Sequence, residues 1–513
     1  MTGPTFGASA PALRPAEPGD RPGAWRRARW GVALGLVAGI LAAAAAYVPA
    51  IDTWERRALD VRVRAFARPE HADRGIVAVV VDQKSLDAIA AKREHGGFDQ
   101  GWPWPRNYHA TVLRYLLDSG ARAVGFDLVF SEPSAYTKLE VADDDMELGK
   151  AGLGHPVVHA AVFTREAVGR PGEAAGRQPD QGWPTGILQQ PFTRAVNTVM
   201  VDTLNKAALP VKPILESARG LGWIGFDPDP DGIFRSIRPA AVYAPAGSPE
   251  ALEVWSLPLA LAAVLERRID VLPGRPAAAW LAVDGRRLPL DEDGRLLVRF
   301  HGDEDVYRRF SYVDVLDSAT RASRGPTPAA ARPAAFRDKV VLIGASAAGL
   351  LDLHATSVSG ALPGWALHAA ALDNVLHGDA IRRPRASTRV GVLLGIGMLC
   401  GGLVALARSL RASVLAALAL AALYAGAALW AFDARGWWLD VVSPALALGL
   451  ACAGASGYVY LTAGRERRFL RAAFSRHLAA QIVEELVERP SASRAAPGPA
   501  PPPRGGSSGP PIR

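Results

Sequence analysis

The sequence predicts an α/β domain, its sheet mostly parallel with an antiparallel part, carried on four transmembrane α-helices. Three observations predict it. Four apolar stretches are long enough to cross a bilayer, short β-rich apolar runs lie between the first and second stretches, and helical patterns alternate with those runs. Composition agrees: of 513 residues 49% are apolar and 21% charged, with a mean hydropathy of +0.09, which excludes a largely disordered chain. Two cysteines, Cys400 and Cys452, exclude a disulfide framework and a cysteine-based zinc site. The net charge of +8 is not read as a nucleic-acid signal, because much of the arginine excess flanks the apolar stretches.

The first stretch, residues 31–50, carries no charge and follows Arg26, Arg27 and Arg29 of an N-terminal tail, residues 1–30. Its length matches the ~20 apolar residues that a bilayer core requires. A cleaved signal peptide is the alternative, since Val48-Pro49-Ala50 ends in small residues, but its apolar core is usually only ~7–15 residues long. The other three stretches are residues 390–407, 414–432 and 441–463. Their short connectors require neighbouring helices to run antiparallel.

Arginine bias sets the orientation. Arg26, Arg27 and Arg29, the pair Arg408 and Arg411, and the cluster Arg465, Arg467, Arg468 and Arg471 all fall on one side if both termini are cytoplasmic. The cluster Arg382, Arg383, Arg385 and Arg389 then lies on the other side, against the bias. Residues 51–389 become one extracytoplasmic domain of a multi-pass protein of the cell (inner) membrane.

Within that domain the runs 76–81, 123–130, 155–163 and 340–343 suit buried parallel strands. A helix is expected over 107–117, after Trp102-Pro103-Trp104-Pro105-Arg106, with Gly120 as its stop. Residues 222–242 hold an Asp-Gly turn between apolar segments, a hairpin signal, and Asp291-Glu292-Asp293-Gly294 is a second turn. Residues 161–190 read as an irregular surface insertion. Beyond the last membrane stretch, Leu470, Phe474, Leu478, Ile482 and Leu486 form one apolar stripe on a cytoplasmic stalk helix, 464–489. The stripe suits either a homodimer or the inner membrane face. Residues 490–513 cannot build a core and are expected to be disordered.

Several motifs, in consistent order, resemble the type-two CHASE (CHASE2) sensor domain of bacterial receptors. They are the segment from Gly101 to Arg106, Gly125-Phe126-Asp127-Leu128-Val129-Phe130-Ser131-Glu132-Pro133, Asp143-Asp144-Asp145, Asp229-Pro230-Asp231-Gly232-Ile233-Phe234-Arg235, Lys339-Val340-Val341-Leu342-Ile343-Gly344-Ala345-Ser346, and Pro363-Gly364 with Leu367-His368-Ala369. The resemblance implies a membrane sensor for an extracytoplasmic ligand, acting in signal transduction. It also implies a C-terminal cyclase or kinase, yet residues 467–489 resemble only the helix that leads into a cyclase, and Pro, Ala, Gly, Ser and Arg dominate from Pro490. The expectation is a receptor that signals through a separate cytoplasmic partner. A truncated or frame-shifted remnant of a cyclase is the alternative.

The candidate ligand-binding residues are Asp82, Trp102, Arg106, Asp127, Glu132 and Ser346. Asp82 and Asp127 each end a predicted strand, the edge where open α/β sheets bind ligands, although either can simply cap a helix. The pair also leaves open an envelope enzyme using both carboxylates. Trp102 and Arg106 offer an aromatic and cationic wall, or a rigid entry to the next helix. Ser346 lies in a tight strand-to-helix turn that exposes N–H groups. The acidic run Asp143-Asp144-Asp145 with Glu147 fits a helix N-terminus better than a Ca²⁺ loop. No catalytic residue, metal ligand or cofactor is assigned, and no nucleic-acid partner is expected.

Overall fold

A computed structural model describes residues 22–93, 101–136, 143–165, 203–243, 252–272, 280–322, 331–350, 352–407 and 409–462. The expected stalk helix (464–489), the tail (490–513), residues 1–21 and residues 166–190 of the expected insertion lie outside the described residues. The chain forms two compact units, one of residues 39–396 and 418–447, the other of residues 1–38, 397–417 and 448–513.

The larger unit is built on six parallel strands: β1 (Ile76–Val81), β2 (Ala123–Phe126), β3 (Val157–Thr164), β4 (Gly220–Trp223), β5 (Arg308–Ser311) and β6 (Val340–Ala345). Their order across the sheet is β5-β1-β6-β2-β3-β4, and Lys206–Ala208 adds a short antiparallel strand beside the end of β3. Helices cover both faces, so the strands need apolar residues on both sides. In β1, Ile76, Ala78 and Val80 enter one core while Val77, Val79 and Val81 enter the other. β6 divides in the same way, Val340 and Leu342 against Val341 and Ile343.

One face is covered by α3 (Gln83–Arg93), α4 (Arg106–Asp118), α5 (Asp144–Gly152), α6 (Lys212–Ser217) and α8 (Tyr312–Ala322). The other carries α7 (Leu257–Val264) and α9 (Gly364–His377). In α4, His109, Ala110, Leu113 and Leu116 recur at helical spacing and are buried. The helix stops at Gly120, whose φ of +84° a residue with a side chain rarely adopts. Its start is capped from a distance: the Arg106 and Asn107 N–H groups donate to the Asp144 carboxylate at 2.6 Å each.

Three sequence expectations change. The strand expected over 123–130 ends at Phe126, and the Asp127 N–H donates to the Ile343 carbonyl as the chain turns away. Residues 161–164 belong to β3 rather than to an insertion. Asp231-Gly232 does turn, with φ +79° at Gly232 and the Asp229 N–H donating to the Ile233 carbonyl across it, but beyond that bond the flanks form no ladder with each other. Gly220–Trp223 joins β3 in parallel, and Ser236–Ile237 pairs with Leu296–Leu297. Pro228 and Pro230 supply no N–H, so a ladder between those flanks is interrupted. The antiparallel part lies instead in the ribbon of Ile269–Leu272, Trp280–Val283 and Arg286–Pro289, and in Ala240–Tyr243 with Leu252–Trp255.

Among the described residues, four helices are long and apolar enough to cross a membrane: α1 (Pro22–Ala45), α10 (Ala386–Leu406), α11 (Leu410–Arg435) and α12 (Val442–Thr462). The first apolar stretch does not run on to Ala50. A turn follows Ala45, and Pro49 opens α2 (Pro49–Ala65), where the missing N–H costs nothing. In the larger unit α2 is pinned by polar bonds. Glu55 accepts from the Val441, Val442 and Ser443 N–H groups at 2.6, 2.8 and 3.4 Å and caps α12, while Arg62 donates to the Leu439 carbonyl at 2.8 Å.

In the smaller unit α1 and α10 approach through glycines. A Cβ added at Gly31 or Gly35 would land on the carbonyl oxygens of Gly401 and Gly397. Four-residue spacing of small residues is how lipid-embedded helices bring their backbones together. Gly35→Leu should therefore destabilise the protein in detergent by roughly 1–3 kcal/mol, the usual range for overpacking. Gly395→Leu on α10, whose Cβ would meet nothing within 4 Å, serves as the control. Equal thermal midpoints for the two variants would refute the packing role.

Candidate functional site

The C-terminal edge of the sheet holds two neighbouring cavities that share Trp102, Leu128 and Val129. The first, of about 300 Å³, is bounded by the end of β2 at Asp127, the end of β6 at Ala345, and Ile224, Phe226, Asp352 and His354. The second, of about 260 Å³, lies between Pro103, Arg106 and His109 and the loop from Phe130 to Glu132.

Asp127 is the chemical centre of the first cavity. Its side chain is buried, and Oδ2 has no hydrogen-bond partner. Behind it lies His368 of α9, with Nε2 3.5 Å from Asp127 Oδ1. Gly344 makes this approach possible: a Cβ there would meet the Trp365 Cβ at 2.7 Å and Asp127 Oδ2 at 3.4 Å. α9 thus lies directly on the end of β6, and one helical turn beyond Trp365 brings His368 onto the carboxyl. Burial raises the Asp127 pKa well above the usual carboxylate value, and the charge of Asp352 raises it further. Burial pushes the His368 ring down to about 3, so at neutral pH it gives Asp127 no positive charge. Asp352 accepts from His354 at 3.0 Å, and the Phe226 ring lies 4.4 Å from that of His368 and 5.1 Å from that of His354. The cavity therefore combines two carboxyl groups with aromatic and aliphatic walls. It suits a small ligand that donates hydrogen bonds. Among the described residues, no group of three or more His, Cys, Asp or Glu is arranged to hold a metal ion.

The other predicted residues disperse around this edge. Trp102 lines both cavities and stacks edge-on against Trp104 with centroids 5.1 Å apart. Arg106 and Glu132 line the second cavity. The Arg106 guanidinium lies over the Phe130 ring at 4.7 Å, donates to the Glu132 carbonyl at 3.2 Å and approaches Asp145 at 3.4 Å. Asp82 lines neither cavity. Its Oδ1 accepts from the Ser85 N–H at 2.9 Å, capping α3, and from the Ser311 hydroxyl at 2.9 Å. Asp82 and Asp127 are not brought together, because β6 lies between their strands. Ser346 also lies outside both cavities, and its N–H donates to the Val81 carbonyl.

The acidic run is occupied by the fold. Asp143 caps α5 through the Asp145 and Met146 N–H groups, Asp144 caps α4, and Asp145 accepts from the Ser134 N–H. Asp352, His354 and His368 are not among the candidates that the sequence singles out. His368 stands in one of the ordered motifs, but nothing in its neighbours tells that α9 will set it against Asp127. The Asp229–Arg235 motif serves the fold rather than the cavities, for the buried Arg235 forks onto Asp60 of α2 through two bonds of 2.7 Å.

No curated protein and no solved structure matches the chain. A family model, described as the CHASE2 domain, matches residues 33–407, which take in the later part of α1, the whole sheet, both cavities and α10. The chain therefore belongs to the CHASE2-domain family, a family of sensor domains in signal transduction, and carries, among the described residues, four apolar helices that fit a membrane protein.

Proposed function

We propose that the protein is a receptor of the inner membrane whose larger unit lies outside the cytoplasm and binds a small, donor-rich polar ligand in the cavity at Asp127. The supporting observation is the buried Asp127 carboxyl, which borders a cavity with one oxygen unpaired. Such a group costs free energy unless something donates to it, so a ligand that does so gains affinity from that group. α9, which carries His368, leads through Gly378 towards α10, and its Asp373 accepts from the Asp73 N–H beyond α2 at 2.9 Å. A ligand that favours one position of α9 over another would shift both membrane connections, provided it binds the two states unequally. Output then passes to a separate cytoplasmic partner, with residues 464–489 pairing two copies.

The test has two arms. A thermal-shift screen of small polar amines and alcohols on the full chain in detergent should give a hit that Asp127→Ala with Asp352→Ala no longer recognises. A hit that raises both melting temperatures equally would place the site elsewhere. A reporter that fluoresces only in the cytoplasm, inserted after Pro273, should stay dark, and bright cells would reverse the orientation.

A further inference from the structure

A third cavity, of about 410 Å³, lies within the larger unit where α1, α2 and α10 meet. Its two halves differ in chemistry. Ala43, Ala46, Val390 and Leu393, from the end of α1 and the first turns of α10, form an apolar floor. Arg56, Arg383 and Arg389, with Asp52, Asp231 and Asp440, form a charged roof.

Half of those six charges are already committed. Arg56 binds Asp52 at 2.7 Å and Asp229 at 2.8 Å, and Asp231 is held by Arg235 at 2.8 Å. Three groups are not. Arg383 and Arg389 come no nearer to Asp440 than 3.7 and 3.6 Å, and Arg389 no nearer to Glu292 than 3.6 Å. A charge-assisted hydrogen bond between such groups is ordinarily about 2.7–2.9 Å. The Nε atoms of both arginines and Oδ1 of Asp440 are buried without hydrogen-bond partners. The Arg383 guanidinium is held in place by the Trp438 ring, 3.9 Å beneath it. Two guanidinium forks, that of Arg383 held by the Trp438 ring, and one carboxylate therefore surround a space large enough for a small group.

We propose that this cavity binds the headgroup of a zwitterionic phospholipid of the ethanolamine type, from the leaflet on the side of the larger unit. Arg383 and Arg389 receive the phosphodiester, Asp440 receives the ammonium, and the floor receives the glycerol and the first acyl carbons. A purely anionic headgroup fits less well, because three aspartates line the same space. A soluble phosphate leaves the apolar floor exposed, and that floor is made by two helices long and apolar enough to lie in lipid. Basic pockets between membrane helices are a recurring way of holding headgroups. The assignment gives a role to the arginine cluster before α10, which charge bias alone leaves on the wrong side. It is independent of the cavity at Asp127.

The experiment uses the delipidated full chain in detergent. Phosphatidylethanolamine, phosphatidylcholine, phosphatidylglycerol or inorganic phosphate is added, and bound lipid is counted by native mass spectrometry beside the thermal midpoint. Phosphatidylethanolamine should bind best and raise the midpoint by several degrees, and Arg383→Gln with Arg389→Gln should weaken it about tenfold or more, in the range of lost charged contacts. Asp440→Asn, which keeps both arginines, should retain binding but lose the preference over phosphatidylglycerol. Equal binding of the three lipids, or no effect of either variant, overturns the site. An equal shift with inorganic phosphate alone overturns the lipid assignment.

Discussion

Arg235→Met should cost roughly 3–5 kcal/mol, the range seen when one partner is removed from a buried ion cluster. The arginine is 2% exposed and bonds to Asp60, Asp229 and Asp231 at 2.7–2.8 Å. Removing it strands Asp60, which keeps only the Ser357 hydroxyl at 2.7 Å, while Asp229 still has Arg56. Arg235→Lys should fall between, because an ammonium keeps the charge but not the planar fork onto Asp60. The measurement is thermal unfolding of the full chain in detergent, and a loss below about 1 kcal/mol would refute the role, since that is what an exposed pair contributes. Acid should act in the same direction. Burial tends to raise the Asp231 pKa, but the hydrogen bonds and charge of Arg235 outweigh it and the net shift is downward. Its contribution is therefore complete above the ordinary value of 3.8 and is lost as pH falls through the depressed value below it.

Asp127→Asn should do the opposite and stabilise the protein at neutral pH, because an amide cannot ionise and so removes the cost of the buried carboxyl's raised pKa, about 1.4 kcal/mol for each pH unit crossed above 3.8 and below that raised value. The Asp127 pKa is raised in the folded state, by burial first and then by Asp352. Between pH 3.8 and that raised value the unfolded chain has lost the proton and the folded chain keeps it. Stability then falls as pH rises, by about 1.4 kcal/mol per unit for a single proton. The asparagine variant should flatten that slope and lose any response to the cavity's ligand. A wild-type stability independent of pH across this window would contradict the buried, uncompensated carboxyl. If the proposed ligand binds there, the carboxyl trades stability of the fold for function.

The four long apolar segments and the buried strands are legible because each reports its surroundings locally. In Ile76–Val81, six successive apolar residues suffice to say that both sides of the strand are covered. The ends of elements are less legible. Pro49 reads as the tail of a membrane stretch, although a proline there equally opens a new helix. The glycines at 31, 35, 397 and 401 carry a packing signal in their spacing, but the two pairs lie more than three hundred residues apart. Of the candidate residues, Trp102, Arg106, Asp127 and Glu132 line the two cavities and Asp82 and Ser346 do not. Asp127 follows an apolar β-rich run, which is visible, although the strand ends at Phe126, earlier than that run suggests. Asp352 and His354 follow β6 by way of a turn, and His368 reaches the carboxyl only because Gly344 admits α9 so closely. Asp82, equally well placed in the sequence, is taken up by Ser85 and Ser311, and no local pattern separates it from Asp127.

The bond from Glu55 to the start of α12 has a mechanical consequence. A helix whose leading amide groups sit in another segment's carboxylate cannot slip lengthwise past that segment without first breaking those bonds. α2 is therefore tethered through Glu55 and Arg62 to the segment that opens α12, and through Asp60, which lies between them, to Arg235 of the larger unit. Under the proposed receptor reading a displacement of the larger unit would reach α12 as well as α1, and Glu55→Gln would loosen that tether while leaving the cavity at Asp127 intact.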